Sequence, residues 1–176
     1  DRGEFIDNIR NRDVAYRDET GALSLAKGGG NTDGITIAAP SITIKGGGIY
    51  SVTLMNETGE LGNSGNISLR TGTAILENAR VLLGSGLLAE PAESGINVLA
   101  QNGISLAKQS FLFSRAGLSV SGEVTIVEGS LVEAQQSEVT LGSVMKLSAN
   151  SAWNSDSLEI DSPVLEVFQS TIRYED

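Results

Sequence analysis

What most constrains this chain is a triplet, apolar then small or polar then apolar, that returns in three interleaved series after residue 20. The first series runs Ile35-Thr36-Ile37, Ile67-Ser68-Leu69, Ile96-Asn97-Val98, Leu118-Ser119-Val120, Val139-Thr140-Leu141 and Leu158-Glu159-Ile160. The second follows with Ile42-Thr43-Ile44, Ala74-Ile75-Leu76, Ile104-Ser105-Leu106, Val124-Thr125-Ile126, Met145-Lys146-Leu147 and Leu165-Glu166-Val167. The third holds Val52-Thr53-Leu54, Val81-Leu82-Leu83, Phe111-Leu112-Phe113, Leu131-Val132, Ala152-Trp153 and Ile172-Arg173-Tyr174. Period-two alternation puts both apolar members of a triplet on one side of a strand. An up-and-down sheet gives no reason for strands to recur in threes. A parallel β-helix does, because each coil lays three short strands on three faces before returning to its start.

The expected fold is therefore all-β: a right-handed single-stranded parallel β-helix (β-solenoid) of about six coils of three short strands. Start-to-start spacings in the first series are 32, 29, 22, 21 and 19 residues. The early coils thus carry surplus chain, assigned to loops at Asn56–Asn63 and Gly84–Ser94. Such loops are either tolerated insertions or carriers of binding specificity. Gly34, Gly65, Gly95, Gly103, Gly117 and Gly122 sit just before strands, where the chain is expected to turn sharply. Coils about 4.8 Å apart give a rod core on the order of 25–30 Å long. Residues 1–20, with ten charged side chains, read as a charged N-terminal cap or linker, and residues 21–176 as the β-helix domain. At the other end Ile172 and Tyr174 are still in register, which predicts end stacking on another subunit or a longer parent chain.

Composition narrows the chemistry. With 12 Lys and Arg against 22 Asp and Glu, the formal charge of −10 repels phosphate backbones and anionic lipid, so neither nucleic acid nor a membrane surface is an expected partner. No apolar run reaches the roughly 18 residues of a membrane-spanning helix. The chain has no Cys and no His. That removes disulfides, thiolate sites, the commonest general base and the commonest zinc ligand.

The segment Gly62-Asn63-Ser64-Gly65-Asn66-Ile67-Ser68-Leu69, followed by Ala74-Ile75-Leu76-Glu77-Asn78-Ala79-Arg80-Val81, resembles the repeats of filamentous-haemagglutinin-like exoproteins of the two-partner secretion type. The resemblance is close over this coil and looser over 95–174. It implies a secreted or surface-attached fibre, extracellular or at the cell surface, with a role in adhesion or matrix. A cell-surface or matrix glycan is a candidate partner. The NPNG and NPNL motifs of that family's secretion domain are missing.

No candidate catalytic or metal motif in the sequence is complete. Asn31-Thr32-Asp33-Gly34-Ile35 is similar to a catalytic motif of polygalacturonases, yet the adjacent Asp pair, Gly-His-Gly and Arg-Ile-Lys of that family are missing. A glycosidase needs two carboxylates flanking the scissile bond. Gly28 to Ile35 also resembles one calcium-binding nonapeptide, but a single copy centred on Asp33 supplies few of the 6–8 oxygens calcium takes. Asp156, Glu159 and Asp161 read as solvated charge. No Ser has a His to activate it, and Lys27, Lys45, Lys108 and Lys146 form no Ser-Lys arrangement. Gly28-Gly29-Gly30 and Gly46-Gly47-Gly48 lack a P-loop context. Trp153, Tyr16 and Tyr50 are candidates for sugar stacking but read better as core or end packing.

The sequence thus predicts no enzyme, no catalytic residue, no cofactor and no metal. It predicts instead a structural or adhesive rod that self-associates through its ends. Two alternatives stand beside it. A cytoplasmic polymer of the bactofilin kind would have shorter and more uniform coils. A carbohydrate-binding or degenerate polysaccharide-active β-helix would have a groove beside the first-series strands with at least two carboxylates.

Overall fold

A computed structural model describes residues 21–26, 34–53, 64–85 and 95–174. Eleven strands fill most of that chain, with no helix among the described residues. They are β1 (Gly21–Ala26), β2 (Ile35–Lys45), β3 (Gly48–Thr53), β4 (Ile67–Glu77), β5 (Arg80–Ser85), β6 (Gly95–Ala107), β7 (Phe111–Glu128), β8 (Leu131–Ser148), β9 (Ala152–Asp161), β10 (Val164–Val167) and β11 (Thr171–Tyr174). Every strand pairing is parallel. The protein is all-β, built on an extended parallel sheet. The charged segment 1–20, expected to be a cap, lies outside the described residues.

The pairings form three ladders, which the chain visits in a constant order. In the first, Ile35 pairs with Ile67, Ile67 with Ile96, and Ile96 with Leu118. In the second, Ile44, Leu76, Leu106, Val127, Leu147 and Val167 align in succession. The third aligns Ile49, Val81, Leu112, Val132, Trp153 and Ile172. Aligned apolar residues from all three ladders merge into one buried cluster reaching from Ile42 to Trp153. Each fully buried Leu, Ile or Val in it contributes about 1.5–3 kcal/mol relative to an exposed position. A second, smaller cluster gathers Tyr50, Val52, Leu82 and Phe113, and the rings of Phe111 and Phe113 stack 5.7 Å apart.

Several registers differ from the triplet reading. Thr125, not Val124, pairs with Ile104 and Met145, so Thr125 and Val127 face the core while Val124 and Ile126 do not. A break in register between Ala100 and Ile104 shifts the strand, and a one-residue shift moves every side chain to the other face. Ser137, not Val139, lies against Leu118, with Val139 against Val120. The buried Ser137 hydroxyl accepts a hydrogen bond from Trp153 Nε1 at 3.2 Å, which makes a polar residue tolerable in an apolar row. Ile49, not Val52, lies against Val81.

The corner between the second and third ladders carries its own row. Gly46, Asn78, Gln109, Gly129, Asn150 and Gln169 all have φ between 47° and 66°. This left-handed region is open to Gly and comparatively tolerant of Asn. One residue later come Ser110, Ser130, Ser151 and Ser170. The backbone N–H groups of Ala79, Ser110, Ser130 and Ser151 donate to the hydroxyls of Ser110, Ser130, Ser151 and Ser170, at 3.2, 3.1, 3.4 and 3.1 Å. Those hydroxyls donate in turn to nearby carbonyls, such as Ala107 O at 2.7 Å and Glu128 O at 2.9 Å. Buried backbone groups at a turn need partners, and this row supplies them pass after pass.

Candidate functional site

The outer side of the first ladder carries an open groove of about 600 Å³. Its lining comes mainly from two aligned rows, with Leu118 and Ser137 between them. One row runs Gly95, Gly117, Gln136 and Ser157, with Asn66 at its head. The other runs Asn97, Ser119, Glu138 and Glu159. Alternation along each strand explains the polarity, because these residues flank the core positions Ile96, Leu118 and Val120.

Two glycines open the floor. Of the six glycines read as sharp turns, Gly103 has a left-handed φ, at 136°. Close approach explains others, since a Cβ on Gly34 would lie 2.7 Å from Asn66 O and one on Gly95 would lie 2.9 Å from Gly117 O. At one end of the gap Asn66 Oδ1 accepts the Gly95 N–H at 2.7 Å. The other end of that amide is an NH₂ donor.

Glu138 and Glu159 are register partners on adjacent strands. Among the described residues no ion pair is made to either. The second ladder differs. Lys146 pairs with Glu166 across the β8–β10 register at 3.0 Å. Glu77 lies 2.8 Å from Lys108 Nζ and 3.7 Å from Lys45 Nζ. The Lys108 hydrogen bond, reinforced by the charges of both lysines, holds the Glu77 carboxyl below the usual carboxylate range. Three of the four lysines are thus tied into ion pairs, and Lys27 lies outside the described residues.

The other sequence candidates fall elsewhere. Asn31, Thr32 and Asp33 lie outside the described residues, as do Tyr16, Asn56–Asn63 and residues 86–94. Trp153 is 1% exposed and sits in the main core, while Tyr50 is 3% exposed in the second cluster, so neither offers an open stacking face. Glu159 joins the groove. Among the described residues no group of three or more acidic side chains is arranged to hold a metal ion. The groove beside the first-series strands, with the two carboxylates Glu138 and Glu159, is the feature expected of a carbohydrate-binding β-helix; Glu138, Asn66, Asn97 and Gln136 were not singled out in the sequence. Compared with known proteins, the chain matches no family model, no curated protein and no solved structure.

Proposed function

We propose that the three ladders close into a right-handed β-solenoid of about six coils that serves as a non-enzymatic, extracellular structural or adhesive rod. The observation that carries this reading is the constant order in which the chain revisits three parallel ladders around one shared core. Parallel strand connections are right-handed in nearly all proteins, which gives the hand. Resemblance to filamentous-haemagglutinin-like repeats around Ile67 supports an extracellular setting. The uneven spacing, with Ile35 32 residues from Ile67 and Ile96 22 from Leu118, argues against the uniform coils of a bactofilin-like polymer.

The far end of the described chain supports stacking of a further β rung. Leu165, Val167 and Tyr174 continue aligned core rows, yet they are 48, 45 and 62% exposed, and Phe168 beside them is 65% exposed. Parallel edges with apolar side chains recruit strands. Negative-stain electron microscopy with sedimentation velocity tests the reading. An elongated particle that associates end to end, with association suppressed in Leu165→Lys/Val167→Lys, is expected. A compact particle, or association unchanged by the double variant, would overturn it.

A further inference from the structure

Most of the side chains that line the first-ladder groove lie on its solvent side. Its two floor glycines differ in a telling way. Gly95 is required by the backbone, since a Cβ there would press on Gly117 O. At Gly117 a Cβ would meet nothing within 4 Å, and its φ is not in the left-handed region. Neither packing nor backbone conformation demands glycine at 117. The consequence of the missing side chain is open space over the groove floor.

Around that space the charges are arranged differently from those on the second ladder. The same strand β8 that pairs Lys146 with Glu166 on the second ladder stacks Glu138 beside Glu159 on the first. Like charges directly opposite on neighbouring strands are destabilising, and no cation among the groove-lining residues offsets them. The amides of Asn66, Asn97 and Gln136 complete a set with several acceptors and several NH₂ donors.

We infer that this groove binds a neutral, hydroxyl-rich glycan chain laid across the aligned rows. Carboxylates and amide oxygens accept hydrogen bonds from sugar hydroxyls, and the amide NH₂ groups donate to hydroxyl and ring oxygens. Two adjacent uncompensated carboxylates exclude uronate, sulfated and sialylated chains by repulsion. Polar groups repeating at the strand spacing of about 4.8 Å suit a polymer that presents hydroxyls at every residue. A calcium ion is the poorer occupant, because two carboxylates without a third acidic ligand fall short of its 6–8 oxygens. The inference names the partner class for the adhesive reading and rests on that reading for its biological role.

The test is titration of the whole chain with cellohexaose, followed by NMR of the side-chain NH₂ signals of Asn66, Asn97 and Gln136. Saturable shifts at concentrations up to the order of 10 mM are expected, with binding weakened at least ~10-fold by Gly117→Leu, which fills the gap without backbone strain. A galacturonate hexamer should bind at least ~10-fold more weakly than cellohexaose, and Glu138→Gln should narrow that difference. No saturable shift, equal binding of the uronate, binding unchanged in Gly117→Leu, or shifts produced by calcium alone and reversed by chelation would each overturn the inference. Particle shape and end-to-end association are read separately, so failure here is distinguishable from failure of the rod reading.

Discussion

Two rows of polar side chains run across the same strands and behave in opposite ways. At the corner, the hydroxyls of Ser110, Ser130 and Ser151 accept a backbone N–H from the preceding pass and donate to a carbonyl, and all three are at most 5% exposed. On the first ladder Asn97, Ser119, Glu138 and Glu159 repeat at the same interval, but their outer sides face an open groove. A row that satisfies itself holds the backbone and has nothing left to offer a partner. A row whose donors and acceptors are left to solvent contributes little to folding and is available for binding.

The sharpest way to break this contrast is to remove one serine. Ser151→Ala takes away the acceptor of the Ser130 N–H and leaves that buried group without its partner. A loss of about 1–3 kcal/mol in urea unfolding is expected, with no effect on sugar binding. An unchanged midpoint would show that the serine row is incidental to stability.

Thr125 supplies the control for a buried hydroxyl outside any row. It is 1% exposed, and Oγ1 makes no hydrogen bond among the described residues. Replacing it with the isosteric Val removes an unsatisfied group and should raise stability by about 1 kcal/mol in the same assay. A destabilised Thr125→Val would mean that the hydroxyl has a partner after all.

The groove row predicts a smaller change of sign. Glu159→Lys converts the like pair with Glu138 into the kind of pair that Lys146 and Glu166 make. Stability should rise by about 0.2–1 kcal/mol while cellohexaose binding falls. A variant that gains stability and keeps full binding would separate the carboxylates from the ligand.

The smallest effect belongs to Glu77, a solvated carboxylate on the paired surface. Its folded pKa is lowered below the ordinary glutamate value, chiefly by the Lys108 hydrogen bond. Its contribution is therefore present above that value and lost as pH falls through the folded pKa. Glu77→Gln should lower the neutral plateau of the stability curve slightly and leave stability in acid unchanged, which flattens the acid limb. Salt should shrink the difference, because exposed pairs are screened.

Much of this architecture was legible in the triplets. Ile67, Leu69, Ile96 and Val98 alternate with Ser68 and Asn97, and that local rule alone assigns them to the core side of strands. The serine row was also in plain view, since Ser110, Ser130, Ser151 and Ser170 each stand directly before a third-series strand. Its meaning was not, because hydrogen bonds such as Ser130 N to Ser151 Oγ join residues 21 apart in sequence. Which residues line the groove was hidden for the same reason. Gly95 and Gly117 look alike as letters before a strand, and the space around each differs with what the next pass brings alongside.

What the sequence by itself determined is the alternation, and with it an all-β chain that buries one side of many short strands. It also removed histidine and cysteine chemistry outright. Register was decided by the tertiary structure: Thr125 turned inward where Val124 was expected, Ser137 came to rest under Trp153, and Glu138 came to lie beside Glu159 rather than beside a lysine. The physical reason is that alternation is a property of neighbours along one strand. Which strand position lies against which is instead settled between passes some twenty residues apart, by the burial of whole faces together with the turns and register breaks that join them.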